Sequence, residues 1–210
     1  MSVRDEELKR ISEIKTAMQD FMVAVYNMYQ CRSKEVVFTG MIIKKSIDIL
    51  SVSEYAFKNN IITVQISLLR LLCDNCLAIE SAKLLGLDKF MELIMNNQRP
   101  NQVIIDEETE ETMSDGYLKR MVAQTYPGFD KVYKFACEGV HFSKQTIRGT
   151  FGASVTGDFD ITSINFKPGN PELKEELAQN NKSMVTICKI IIDMLKRLVV
   201  LNWQNNNYIL

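Results

Sequence analysis

A stripe of polar residues runs along the most apolar segment of the chain, from Ile61 to about Leu85. With about 3.6 residues per helical turn, the stripe consists of Thr63, Ser67, Arg70, Asp74 and Ser81. Arg70 and Asp74 stand four residues apart, so a helix brings their side chains within reach of each other. Because burying an unpaired charge is costly, the two residues form either a structural ion pair or part of a polar pocket wall.

The single histidine, His141, falls at the end of a helix that we predict from Phe129 onwards. Lys134, Cys137, Glu138 and His141 share one face of that helix. The negative end of the helix dipole favours a charged imidazole and places its titration near neutrality. The histidine is therefore either a structural residue or a functional residue that titrates near neutral pH.

Four further residues complete the candidate site around the histidine. We expect a binding pocket that includes Ser67, Asp74, Tyr133 and Ser143. The chain has neither a G-x-S-x-G elbow nor a P-loop or G-x-G-x-x-G motif, so hydrolase and nucleotide-binding signatures are missing from the sequence. We expect no cofactor and no metal.

Cysteine spacing offers a second kind of chemistry. Cys73 and Cys76 have the C-x-x-C spacing of zinc and redox sites, but they lie in the middle of a predicted helix, and no second pair exists. We interpret them as packed core thiols. The odd total of five cysteines argues against a disulfide framework and favours a reducing cytoplasm.

Composition excludes several broad classes. The chain has 210 residues, of which 46% are hydrophobic and 24% charged, as in ordinary globular proteins. Its net charge of -1 lacks the basic excess of nucleic-acid modules. The charged N-terminal segment does not look like a signal peptide, and we find no window as apolar as a membrane span requires. We therefore expect a soluble cytoplasmic protein.

Helical periods dominate the chain and predict seven helices. Their approximate bounds are Asp5 to Cys31, Glu35 to Lys58, Ile61 to Leu85, Asp88 to Asn97, Asp115 to Thr125, Phe129 to His141 and Pro171 to Trp203. Ser114 is placed to cap the fifth helix, and Gly86 to close the third. Residues 98–113 contain Pro100 and an acidic cluster, which favours an exposed loop.

The segment from Gly149 to Phe166 has a different pattern from the rest of the chain. Aromatic and branched residues alternate there with Thr, Ser and Gly, and Gly157-Asp158 is a turn signal, so we predict a short hairpin. No linker or internal repeat divides the chain. The prediction is one all-α domain over residues 1–210, a bundle of six to seven helices with a small β-hairpin inserted at about 149–166, before the last helix.

Several short segments together resemble an uncharacterised family of bacterial helical proteins. They are Ser67-Leu68-Leu69-Arg70, Ser114-Asp115-Gly116-Tyr117-Leu118, Tyr126-Pro127, Val132-Tyr133 and Gly139-Val140-His141-Phe142-Ser143. The resemblance covers about residues 60–148 and implies no activity.

The arrangement also resembles, more distantly, the HEPN superfamily of prokaryotic defence and toxin systems. Members are helical and usually dimeric, and many are metal-independent ribonucleases with an Arg-x4-6-His motif. Here six residues separate Lys134 from His141, so the spacing matches but lysine stands in place of arginine. Lysine cannot make the planar two-point contact with phosphate that arginine makes. Arg70, from a neighbouring helix, is the candidate to replace the missing arginine.

Two functions from different classes follow from these observations. Ile11, Ile14, Met18, Phe21, Val25 and Met28 form a heptad seam on the first helix. Such a seam packs inside its own chain, binds a second copy or docks a helical partner, and we favour a binding or assembly protein. The alternative is a HEPN-like ribonuclease, with RNA as its partner.

A third class, sequence-specific DNA binding, is disfavoured. The basic stripe of the last helix consists of Lys182, Lys189, Lys196 and Arg197, and Asp193 interrupts it, so we interpret it as a solvated face.

Overall fold

The chain folds as an all-α helical bundle with a small antiparallel hairpin before the last helix, as predicted. The computed structural model describes residues 3–29, 33–106, 111–140 and 174–200. The seven α-helices of this part are α1 Val3–Tyr29, α2 Lys34–Lys58, α3 Ile62–Leu85, α4 Leu87–Met95, α5 Asp115–Thr125, α6 Phe129–Val140 and α7 Lys174–Leu195. A 3-10 turn spans Pro100–Gln102, and α7 continues into a π-helical turn, Lys196–Val200.

Local signals set the helix ends as the sequence predicts. The Ser114 hydroxyl accepts a hydrogen bond from the Tyr117 backbone N–H at 3.3 Å, which caps α5. Asn60 adopts a left-handed φ of 56° after α2, and Gly86 does so at 79° after α3. Such a residue reverses the chain and ends a helix, and glycine adopts this conformation without the steric cost of a Cβ.

The described hairpin lies in the segment that we predicted as an exposed loop. Strand β1, Ile104–Asp106, pairs antiparallel with β2, Glu111–Thr112, and the register is irregular between Ile104 and Asp106. Met113 follows β2 and is fully buried, with its sulfur accepting a hydrogen bond from Ser81 at 2.9 Å. The loop prediction was wrong because strands of three and two residues are too short to show an alternating hydrophobic pattern. The hairpin predicted at about 149–166 lies outside the described residues.

The heptad seam of α1 is packed inside the chain. Ile11, Ile14, Met18, Phe21 and Val25 are all buried, and the remaining member, Met28, is half-buried. Of the three interpretations of the seam, the structure shows intramolecular packing. The seam is therefore not a free face for docking a partner helix.

The chain divides into two compact units, which are described separately. Unit 1 comprises the described parts of Met1–Lys15, Ser46–Cys73 and Lys131–Cys188, and unit 2 those of Thr16–Lys45, Asp74–Asp130 and Lys189–Leu210. The single domain over residues 1–210 stays a prediction.

In unit 1, helices α2, α3 and α7 share an apolar core. Its buried residues are Phe57, Ile62, Ile66, Leu177 and Ala178, with Leu8 and Phe135 packed against them. Gln65 of α3 and Asn181 of α7 are also fully buried, and the Gln65 side-chain amide donates a hydrogen bond to the Asn181 side-chain oxygen. This bond links the two helices inside an apolar environment, where an amide without a partner is costly.

In unit 2, an aromatic pair and a tyrosine hydrogen bond each join two elements that are distant in the sequence. The Phe38 and Phe90 rings meet edge to face, with centroids 5.4 Å apart, and so join α2 to α4. The Tyr29 hydroxyl donates to the backbone carbonyl of Val199, which ties the end of α1 to the π-helical turn.

Helix α3 is more apolar than we expected from the sequence. Among the described residues it is the one helix long and apolar enough to cross a membrane, although 56% of its most apolar window is buried inside the chain. The expectation that no window reaches this hydropathy was wrong. Core helices of soluble proteins pass the same test, so the cytoplasmic location stays a prediction.

Two helical glycines differ in the space around them, and this predicts opposite effects of alanine. A Cβ at Gly139 would overlap Cγ2 of Ile66, whereas a Cβ at Gly40 would lie 3.5 Å from Cε of Met22, an ordinary contact. Gly139→Ala should lower the free energy of unfolding by about 1–3 kcal/mol through overpacking. Gly40→Ala should leave it unchanged or raise it by up to about 1 kcal/mol.

Urea unfolding of the two variants beside the wild type measures this difference. The gain in helix propensity is common to both substitutions, so their difference reports the contact with Ile66. Equal stability of Gly139→Ala and Gly40→Ala would contradict the packing described at α3 and α6.

Candidate functional site

Among the predicted site residues that the structure describes, Arg70 is held by several side-chain contacts. It lies half-buried on α3, and its Nη2 donates a hydrogen bond to the Tyr133 hydroxyl at 2.5 Å. The guanidinium carbon is 4.2 Å from the centroid of the Tyr133 ring, and Nε donates to the Cys137 sulfur at 3.2 Å. Aromatic contact and hydrogen bonds thus hold a cation against α6 with little rotamer freedom.

The structure brings two of the predicted residues, Arg70 and Tyr133, into contact and places others apart. Lys134 is exposed on α6, and the Ser67 hydroxyl donates to the Thr63 backbone carbonyl of its own helix at 3.0 Å. His141 and Ser143 lie outside the described residues. Asp74 is half-buried on α3, and its pairing with Arg70 stays a prediction.

The C-x-x-C pair lies in the core, as predicted. Cys73 and Cys76 are fully buried free thiols. Burial raises the pKa of the Cys73 thiol to about 12, against an opposing influence from the Arg70 charge. Burial also raises the pKa of Cys188 on α7. Thiols of this kind stay protonated at neutral pH and are poor nucleophiles.

Unit 2 contains a cavity of about 410 Å³, which the sequence did not reveal. It lies between the second half of α3, the end of α5 and the π-helical turn after α7. Its lining residues are Ile79, Glu80, Ala82, Lys83, Gly86, Leu87, Thr125, Tyr126, Met194, Arg197 and Leu198. Among them, Ile79, Leu87, Met194 and Leu198 are buried core residues, so the walls are largely apolar.

A hydrogen-bonded group of three side chains lies along one side of the cavity. The Tyr126 hydroxyl donates to Oδ2 of Asp193 at 2.6 Å, and Nε of Arg197 donates to the same oxygen at 2.8 Å. These contacts hold the pKa of Asp193 below its ordinary value, with the tyrosine bond as the largest cause. Burial and the neighbouring carboxylate raise the pKa of Tyr126. The group therefore consists of a neutral phenol, a carboxylate and a guanidinium at neutral pH.

A second ion pair lies on the α3 side of the cavity. Nζ of Lys83 is 2.9 Å from Oε1 of Glu80. The lysine side chain is 55% exposed and the glutamate side chain only 5%, so the cation covers the acid. Among the described residues, no group of three metal-ligating side chains occurs.

Sequence reasoning missed the cavity because its polar residues look ordinary one at a time. Arg197 belongs to the stripe that we interpreted as a solvated face, and Asp193 seemed only to interrupt that stripe. The pairs Glu80–Lys83 and Asp193–Arg197 have spacings of three and four residues, which are common on any helix surface. Tyr126 beside Pro127-Gly128 was the one available signal, since an aromatic residue at a helix end suggests a contact with another element.

The Tyr126 bond makes a testable prediction about the titration of Asp193. Tyr126→Phe should raise the pKa of Asp193 towards its ordinary value, because the largest cause of its depression is lost. A carboxylate with a depressed pKa stabilises the fold above its unfolded pKa, and this stabilisation is lost as the pH falls through the folded pKa. Tyr126→Phe should therefore shrink the drop in stability between pH 7 and strongly acidic pH.

Carbon-13 NMR titration of the Asp193 carboxyl measures the pKa directly, and urea unfolding across pH measures its contribution to stability. Tyr117→Phe is the matched control, because it removes a tyrosine hydroxyl from α5 at a position that does not line the cavity. An unchanged Asp193 pKa in Tyr126→Phe would refute the assignment.

Comparison with known proteins identifies no relatives: no family model, no curated protein and no solved structure matches the chain. The resemblances to the bacterial helical family and to the HEPN superfamily therefore stay predictions. The geometry of the two sites is what bears on function.

Proposed function

We propose that the protein is a helical binding protein and that the cavity of unit 2 is its ligand site. One observation carries this proposal: a cavity of about 410 Å³ within one unit, with largely apolar walls and a few polar residues in its lining. Ligand sites of small molecules have this size and composition. A place in a bacterial defence or toxin-type system is proposed on the HEPN resemblance alone.

Assembly with a second copy or a helical partner remains part of the proposal, although the heptad seam of α1 does not support it. Exposed apolar side chains of α1 and α2 in unit 2 support it instead. They are Val23, Tyr26, Val37 and Met41. Clusters of exposed apolar residues are typical of interaction surfaces.

The ligand site can be tested with a neutral fluorescent probe, N-phenyl-1-naphthylamine, whose emission rises in an apolar environment. We expect saturable binding to one site per chain. Thr125→Trp should weaken the binding at least tenfold, because Thr125 is an exposed residue of the cavity lining and an indole there fills the space.

Gln124→Trp is the matched control, since Gln124 is the exposed neighbour of Thr125 and does not line the cavity. Thermal unfolding checks that both variants fold. If the probe does not bind, or if it binds Thr125→Trp as well as the wild type, the cavity is not a ligand site.

A second candidate function is a metal-independent ribonuclease that uses His141. The position of Arg70 favours it, because the guanidinium lies against Tyr133 and Cys137 of α6, the helix whose sequence leads directly to His141. Arg70 would stabilise phosphate charge in place of the arginine that the HEPN motif has at Lys134. His141 would act as general acid or base on the 2′-hydroxyl or the leaving oxygen.

RNA cleavage in the presence of EDTA tests the second candidate. We expect His141→Ala to abolish cleavage and Arg70→Lys to reduce it at least tenfold, since lysine keeps the charge but loses the planar contact with phosphate. Arg120→Lys should cleave like the wild type, because Arg120 is exposed in unit 2 and pairs with Glu111. Equal cleavage by the wild type and His141→Ala, or none by either, would refute the ribonuclease.

A further inference from the structure

We infer that the ligand of the unit 2 cavity is a small amphipathic acid, with its apolar body between α3 and α7 and its anionic head at Lys83 and Arg197. The inference rests on the proposed function of the cavity as a ligand site. It adds the chemical class of the ligand and the residues that select it.

We infer an apolar body for the ligand from the apolar residues that line the cavity. Residues from α3, from the start of α4 and from the end of α7 supply side chains without polar atoms, namely Ile79, Ala82, Leu87, Met194 and Leu198. Water gains little from contact with such walls, so an apolar ligand of matching size displaces it favourably. A fully polar ligand, such as a free sugar or nucleotide, would leave these walls without suitable contacts.

We infer an anionic head group for the ligand from the charged side chains in the cavity lining. Glu80 is buried, and the Lys83 ammonium, which is 55% exposed, covers it. An ammonium has three N–H donors, and one described contact uses one of them. Both residues line the cavity, so on the α3 side a ligand meets an exposed ammonium that is paired with a buried carboxylate.

Arg197 presents the same chemistry from the π-helical turn after α7. Its Nε donates to Oδ2 of Asp193 at 2.8 Å, the Tyr126 hydroxyl also interacts with the guanidinium, and the side chain is 60% exposed. Asp193 also accepts from Tyr126 and does not itself line the cavity. The carboxylate thus orients the guanidinium, and the remaining donors of the fork suit a carboxylate or a similar oxyanion.

The backbone of this segment supports the assignment. The residues Lys196–Val200 form a π-helical turn, a rare conformation that is often found at functional sites. Arg197 and Leu198 of this turn both line the cavity, so one turn supplies an apolar contact and a cationic contact to the same space.

Three eight-carbon compounds with an anionic, a neutral and a cationic head group test the charge preference. Octanoate, 1-octanol and octylamine are titrated against bound N-phenyl-1-naphthylamine, and octanoate binding is repeated by calorimetry. We expect octanoate to bind at least tenfold more tightly than 1-octanol, and octylamine to bind more weakly than either.

Variants of the two cations show whether they select the head group. Arg197→Gln and Lys83→Gln should each weaken octanoate binding at least fivefold more than they weaken binding of the neutral probe or of 1-octanol. Arg120→Gln is the control, because it removes an exposed arginine of unit 2 that lies outside the cavity. It should leave all affinities unchanged.

The outcomes separate the inference from the proposal on which it rests. If the neutral probe does not bind, both the proposed ligand site and the inferred class of its ligand are refuted. If the neutral probe binds but octanoate and 1-octanol have equal affinities, the cavity is a ligand site but its ligand is not an acid. The same conclusion follows if octylamine is the tightest ligand. Octanoate binding that Arg197→Gln and Lys83→Gln leave unchanged also overturns the inference.

Discussion

The structure depends on burying α3 while pairing the polar side chains Gln65, Arg70 and Glu80 that this helix carries. This helix is apolar over most of its surface, and a bundle can enclose it only if its charged groups are compensated, because burying an isolated charge is costly whereas burying a methylene group is favourable. The described structure uses a different solution at each place. Arg70 is held by Tyr133 and Cys137 of α6, Gln65 by Asn181 of α7, and Glu80 by Lys83 one turn later on α3 itself.

The same requirement produces both candidate sites. Where an aromatic residue and a sulfur hold a guanidinium, the protein gains an oriented cation with restricted mobility, as phosphate chemistry requires. In unit 2, Lys83 pairs with Glu80 of α3 and Arg197 pairs with Asp193 of α7, and both cations line one largely apolar cavity. In unit 2 the phenol of Tyr126 strengthens this arrangement, because its bond to Asp193 lowers the pKa of the carboxyl, which then stays ionised and paired with Arg197 down to more acidic pH.

Sequence reasoning succeeded where the determining interactions are local. The capping of α5 by Ser114 and the positive φ of Gly86 depend on a few neighbouring residues. The seam of α1 was correctly identified as a continuous apolar face, but its period is the same whether the face meets its own chain or another. Only the packed structure shows that Ile11 and Met18 are already fully buried. The hairpin at Ile104–Thr112 escaped prediction because its pairing is held by β1–β2 contacts and by the burial of Met113.

The sequence by itself determined the all-α class, the approximate helix bounds and the buried character of Cys73 and Cys76. It also showed that the polar residues of α3 lie in one stripe of an otherwise apolar helix. Each follows from a period or a local hydrogen bond, which neighbouring residues specify. Only the tertiary structure decided that Arg70 contacts α6 and that Tyr126, Asp193 and Arg197 meet beside a cavity. Tyr126 and Asp193 are 67 residues apart in the chain. A contact over such a distance depends on how whole helices pack, and no short stretch of sequence encodes it.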